Sequence, residues 1–417
     1  MDDRLKLKYF KYYREHCFYK KLDVDELENL ARESLQKGFD DIYAFTMTLL
    51  CRYSIENLQK ERFLKYLTEL RIIATEKGGF PAVHTHLNEG YFQMMVEQNY
   101  DNAIKSFNLA KDIYEKNAQN NQPTIYFILQ YLGVSYQRNS EDIKAYLYFT
   151  EALKCKLNKV FRFHKAMTYN WLAIIEDKHN LSYKALQKAL RSAKILKNYS
   201  IEIRYCDVLN TIGLLYLKLD KFTEAEITFL ESIDIAKKHN LSFIIADAYN
   251  NLGMLYQTNN QIPNSIENYQ KSLKFRNKET EQQKFSFTLM NLGHSYRISG
   301  DYTKAKKYIL KAIEITKNFN NDVHLNRCYS NLSLVYLGLK DFKNTKKYLK
   351  LSKTLTQKIN DTEGLMYVYN YSIELYKEMG DIQKMKEYEN LADQTQKELS
   401  EIKMNTTKEF LEWKVRK

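Results

Sequence analysis

LNTIGLLYLKLDKFTEAEITFLESI, running from Leu209 to Ile233, holds two helical periodicities separated by a polar break. In its first half Leu209, Ile212, Gly213 and Tyr216 fall at i, i+3, i+4 and i+7, the apolar stripe of one helix. In its second half Ala225, Phe229 and Ser232 fall at i, i+4 and i+7. The stretch therefore reads as a helical hairpin whose small residues let the two helices approach closely.

Three further stretches align with it: LQYLGVSYQRNSEDIKAYLYFTEAL from Leu129, YNNLGMLYQTNNQIPNSIENYQKSL from Tyr249 and LMNLGHSYRISGDYTKAKKYILKAI from Leu289. The first small residue recurs as Gly133, Ala173, Gly213, Gly253, Gly293 and Ser333, a spacing of 40 each time, and Ile373 continues the register. A second small set runs Ala103, Ala145, Ala185, Ala225, Ser265, Ala305 and Thr345. Tyr136, Tyr216, Tyr256, Tyr296, Tyr336 and Tyr376 share a third register. At the front the best match to the first set is Tyr91, two residues out of step. A single hairpin cannot bury its apolar face, so such copies must stack into a continuous core.

This pattern resembles the tetratricopeptide repeat (TPR) over about three quarters of the chain. The common TPR period is about 34 residues. Six more residues lengthen a hairpin by about one and a half turns. The resemblance implies an all-α, right-handed superhelical solenoid of TPR-like hairpins, with the first helix of every repeat lining the concave face. About eight repeats then occupy residues 81–396. Residues 1–80 fall outside the register and read as an N-terminal helical bundle or a degenerate TPR. Leu5–Phe18, Asp25–Gln36, Asp41–Arg52 and Ile55–Glu76 are its helices, with Asp23 or Asp25 as a cap. Residues 397–417 read as a C-terminal capping helix, with Phe410, Leu411, Trp413 and Val415 on its apolar side.

Composition narrows the function classes. The chain of 417 residues has only 12 Gly and 3 Pro, which favours helix throughout. It has no apolar run long enough to span a membrane, and its start lacks a signal-peptide core. Cys17, Cys51, Cys155, Cys206 and Cys328 are odd in number and scattered, so neither a disulfide framework nor a zinc site is expected. These features predict a cytoplasmic protein. Residues 1–80 carry 15 basic and 14 acidic groups and residues 381–417 eight of each. Of the net charge of +13, all but one unit therefore resides in the repeats. Lys304, Lys306, Lys307, Lys311, Lys346, Lys347, Lys350 and Lys353 fall on second helices, a convex ridge that reads as a solvated face or as a site for nucleic acid or acidic protein. No nucleotide-binding loop, nucleophile elbow or metalloprotease motif occurs. His84 and His86 read as helix-entry residues rather than metal ligands. No enzyme, cofactor or metal is expected.

The concave face is more informative. With the first small residue of a repeat as position 8, positions 2, 5, 6, 9 and 12 form one stripe. Position 5 holds Gln130, Asn170, Asn210, Asn250, Ser330 and Asn370, and position 6 holds Asn251, Asn291 and Asn331. Asparagine is a mediocre helix former. Its amide offers both donor and acceptor, so it can pair with an extended peptide backbone whatever the peptide's sequence. The competing reading is an Asn-rich composition with hydrogen bonds between helices. Asp207 and Asp247 at position 2 would hold a basic peptide residue. Arg327 at position 2 and Arg297 at position 12 would meet a carboxylate, with Tyr367, Phe287 and His294 as amphipathic wall.

GYFQMMVEQNYDNAIKSFNLA (Gly90–Ala110) and YFILQYLGVSYQ (Tyr126–Gln137) carry a narrower resemblance. They look like the Rap-type proteins of Gram-positive bacteria, within the wider group of cytoplasmic receptors for secreted signalling peptides. The resemblance implies a short peptide in the groove, pinned by asparagines, and a protein partner at the N-terminal bundle. It also implies that peptide binding alters that contact. Some members stimulate dephosphorylation of a response regulator through a bundle glutamine; Gln36 and Gln59 lie in the bundle, and neither is assigned the role. Alternatives are a constitutive TPR scaffold, a DNA-binding transcriptional regulator, and a Rap-like stimulator of dephosphorylation. A homodimer is compatible with the pattern.

Overall fold

The computed structural model describes residues 3–17, 22–117, 121–319 and 321–415. Phe18, where the first expected helix ends, lies outside the described residues, as do Arg416, Lys417 and the side chains of Cys17 and Val415. Twenty helices and no strand occur among them. No described helix is long and apolar enough to cross a membrane. The chain forms an all-α TPR-type solenoid whose contacts divide it into two compact units, residues 1–204 and 205–417.

The first unit opens with α1 (Asp3–Cys17), α2 (Val24–Gln36), α3 (Asp40–Glu56) and α4 (Lys60–Lys77). Three hairpins follow: α5 (Gly79–Met95) with α6 (Tyr100–Lys116), α7 (Gln122–Arg138) with α8 (Asp142–Lys154), and α9 (His164–Lys178) with α10 (Ser182–Asn198). The second unit holds five hairpins. These are α11 (Glu202–Lys218) with α12 (Phe222–Lys238), α13 (Ser242–Thr258) with α14 (Ile262–Phe275), α15 (Gln282–Ile298) with α16 (Tyr302–Thr316), α17 (Asp322–Gly338) with α18 (Phe342–Lys358), and α19 (Thr362–Glu378) with α20 (Ile382–Val415).

The 40-residue period has a simple origin. Ser140, Asn180, Ser200, Asp220, Asn240, Asn260, Gly300, Lys340, Asn360 and Gly380 all have positive φ, and they fall on multiples of 20. Each ends a helix in the left-handed conformation. At Asn260 the Gln261 amide reaches back to the Tyr256 carbonyl at 2.7 Å and the Asn260 amide to Gln257 at 3.1 Å, a Schellman closure. A repeat is thus two 17-residue helices, as in α11 and α12, each with a three-residue connector. The rule breaks at α8 with 13 residues and α14 with 14, which longer connectors follow, at α9 and α16 with 15 each, and at α20, which runs on for 34.

The small positions work as expected, with one correction at the front. A Cβ on Gly213 would lie 2.4 Å from the Phe229 ring, and one on Gly133 2.6 Å from Phe149. The equivalent residue of the first hairpin is Gly90, where a Cβ would lie 2.5 Å from Phe107. Gly90, not Tyr91, therefore takes the first-small place; the alignment followed the side chain and missed the ring that packs on bare Cα. The repeated tyrosines stack on tyrosines of the second helix, Tyr136 on Tyr148 at 5.4 Å and Tyr296 on Tyr308 at 5.5 Å.

At the front Asp23 caps α2, accepting from the Glu26 amide at 3.1 Å. The fourth helix starts at Lys60 rather than Ile55. Ile55 continues the core-facing stripe of α3, and the break comes at Leu58, which has φ of 58°. Gln36 and Gln59 are both exposed. At the far end the segment from residue 397 is the C-terminal half of α20 rather than a separate helix, since no Gly or Pro interrupts it. Within it Phe410 is fully buried.

Two polar groups sit deep in the first unit. The Arg52 guanidinium lies 4.8 to 5.6 Å from the rings of Tyr91, Phe127 and Tyr131, a cation held by aromatic faces. His84 is a core residue of α5 rather than a helix-entry one. Its Nδ1 is 2.8 Å from Thr48 Oγ1 and its Nε2 3.3 Å from Thr124 Oγ1. Burial lowers its pKa from the usual 6.5 to about 3. The unfolded chain therefore binds a proton below pH 6.5 that the folded chain refuses, and stability falls as pH drops from 6.5 towards 3. Lowering the pH from 7 to 5 should cost about 2 kcal/mol through this residue alone. His84→Gln should flatten that slope in urea midpoints measured at both pH values; an unchanged slope would refute the assignment.

Candidate binding groove

The first helices of the second unit bring half of the expected residues together. Asp207 and Asn210 of α11, Asp247, Asn250 and Asn251 of α13, and Phe287, Thr288 and Asn291 of α15 line one cleft of about 420 Å³. The 40-residue period stacks their positions because each helix repeats its predecessor's phase.

The asparagines form a ladder. Asn251 Nδ2 points to Asn210 Oδ1 at 3.5 Å, and Asn291 Nδ2 to Asn250 Oδ1 at 3.4 Å. Thr288 Oγ1 adds a bond to Asn250 Oδ1 at 3.2 Å. Position 6 of one repeat thus donates to position 5 of the repeat before it. The contacts between amides are long and therefore weak. Each amide keeps donor and acceptor capacity for something else. One repeat later the rung changes: Asn331 donates to its own helix at Arg327 O, 2.9 Å, and lies 3.5 Å from Met290 Sδ.

Charge is distributed differently from the sequence expectation. Asp247 already carries two cations, Arg276 Nη2 and Lys284 Nζ, each at 2.7 Å. Asp207 is likewise engaged. Arg276 also holds Glu281 at 2.9 Å, and its side chain is only 2% exposed. Arg276, Lys284 and Thr288 line the cleft without having been singled out in the sequence. The available signal was RNKETE (276–281), where the regular connector is missing. The early end of α14 lets Arg276 fold back onto α13.

The remaining candidates stand apart from this cleft. Arg327, Tyr367 and Asn370 are exposed on α17 and α19, and Arg297 is partly buried on α15. Asn170 belongs to the first unit, where it is 6% exposed with Oδ1 unpartnered. His294 lies against Gln257, whose Nε2 is 2.9 Å from His294 Nδ1. Burial, with the Arg297 charge beside it, lowers the His294 pKa to about 4. Several lysines of the second helices lie over tyrosine rings, Lys304 on Tyr296 at 5.2 Å, Lys306 on Tyr336 at 5.0 Å and Lys346 on Tyr376 at 5.6 Å. Part of the basic excess therefore shields the repeated tyrosines.

The comparisons with known proteins agree with this architecture. The Tetratricopeptide repeat family matches residues 207–239, 246–279 and 288–319. No curated protein matches the sequence significantly. Among solved structures, the apo form of RapI superposes with a TM-score of 0.65 at 16% identity, over 86% of this chain and 98% of that one. A Rap protein complexed with Competence and Sporulation Factor gives 0.64 at 14% identity, over 86% and 99%. The apo form of the quorum sensor NprR from B. thuringiensis gives 0.60 at 15% identity, over 85% and 99%. At these identities the likeness is one of fold: the chain has the TPR architecture of the Rap and NprR proteins.

Proposed function

We propose that this chain is a regulatory protein that binds a short signalling peptide in the groove of its second unit and thereby changes its contact with a protein partner at residues 1–80. The observation that carries the reading is the ladder of Asn210, Asn250, Asn251 and Asn291 along one cleft. Paired amides with spare donors and acceptors suit the backbone of an extended peptide. The Rap protein of the same fold bound to Competence and Sporulation Factor supports a peptide as ligand. The role is regulatory rather than catalytic, and the site of action is the cytoplasm. A peptide that spans successive hairpins favours one packing of the repeats over another, so its differential affinity shifts the population.

A screen of short synthetic peptides against the full chain tests this. A subset should bind, and binding should slow backbone hydrogen exchange in α11, α13 and α15. Bound peptide should also change the exchange of α2 to α4. Protection confined to the groove helices would indicate a static scaffold, and no binder at all would remove the reading.

A further inference from the structure

We infer that His294 and Arg297, on the stripe of α15 that also carries Asn291, form a carboxylate-binding corner beside the cleft, which takes either the free C-terminus or an acidic side chain of a bound peptide. The inference rests on the groove reading above.

The argument starts from a relay of hydrogen bonds. Tyr269 Oη donates to Gln257 Oε1 at 3.2 Å, which orients the Gln257 amide. The other end of that amide, Nε2, can only donate, and it faces His294 Nδ1 at 2.9 Å. His294 Nδ1 must therefore accept, which places the imidazole proton on Nε2. A histidine whose pKa is lowered to about 4 is neutral at physiological pH, so this tautomer persists. Among the described residues no acceptor is found for the Nε2–H.

Arg297 stands one turn further along the same face of α15. Its Nε is buried without a partner, and among the described residues no carboxylate pairs with its guanidinium. Arg276 is the contrast: its two terminal nitrogens hold Asp247 and Glu281. The second unit thus places a neutral donor and a cation on adjacent turns, both without acceptors among the described residues, while its groove aspartates are engaged. Two donors one turn apart on one helix face, one of them charged, match a carboxylate.

The test uses three pools of random hexapeptides built from Gly, Ala, Val, Ser, Asn and Gln, each carrying a neutral N-terminal dye and read by fluorescence anisotropy on the full chain. One pool keeps its free C-terminus, one is amidated, and one is amidated with a single Asp. The amidated neutral pool should bind at least tenfold more weakly than one of the other two. A preference for the free-acid pool identifies the terminus, and a preference for the Asp pool identifies a side chain. Arg297→Gln should erase the preference. His294→Gln, which keeps a donor near the place of Nε2, should retain it, and His294→Leu should reduce it. Equal binding of all three pools, or a preference that survives Arg297→Gln, overturns the corner and leaves the groove reading intact. Absence of binding by every pool overturns both.

Discussion

Asn250→Ala combined with Asn291→Ala should weaken binding of any groove peptide by about 100-fold while leaving the helical content unchanged. The magnitude follows from two to three lost amide bonds to peptide backbone, each worth roughly 1 kcal/mol and more where a buried partner is stranded. The folded protein should tolerate the change. Asn291 and Asn250 meet at a long 3.4 Å, so their mutual bond contributes little. Alanine is also the better helix former. Isothermal titration with a peptide from the screen, alongside circular dichroism, gives both numbers. Unaltered affinity would mean that the ladder serves only the packing of one repeat on the next.

The second large effect concerns the fold. Phe229→Ala should destabilise the second unit by about 3–5 kcal/mol, the usual cost of emptying a fully buried aromatic site. Gly213→Ala should cost about 1–3 kcal/mol on its own, because its Cβ would be driven to 2.4 Å from the Phe229 ring. The two losses should not add. Once the ring is gone the new methyl fills part of its space, so the double variant should be no worse than Phe229→Ala. The chain already contains that solution, since Ala173 is followed sixteen residues later by Ala189 where Gly213 is followed by Phe229. Urea midpoints of the four proteins complete the cycle, and strict additivity would show that the two positions do not share one contact.

Much of this architecture was legible in the residues. Spacing alone predicted the hairpins, because a stripe of small and apolar residues at helical intervals can be buried in only one way. It also predicted the groove asparagines, because equal periods place equal positions on one face. The tyrosine register could be read as well, although its stacking partners on the second helices could not. Gly90 was misread as Tyr91 because an absent side chain leaves no letter to align, whereas the Phe107 ring that rests on it shows the equivalence at once.

The sequence by itself thus determined the repeat, its 40-residue length and the residue types on its concave stripe, all of which depend on local periodicity. The tertiary structure decided which of those residues are spoken for. Arg276 and Lys284 neutralise Asp247, and Gln257 sets the proton of His294, through contacts between residues 29 to 37 positions apart. Among the described residues Arg297 has no such partner. Charge compensation depends on which side chains meet across neighbouring helices, and a one-dimensional period carries the face of a residue but not the identity of what lies opposite it.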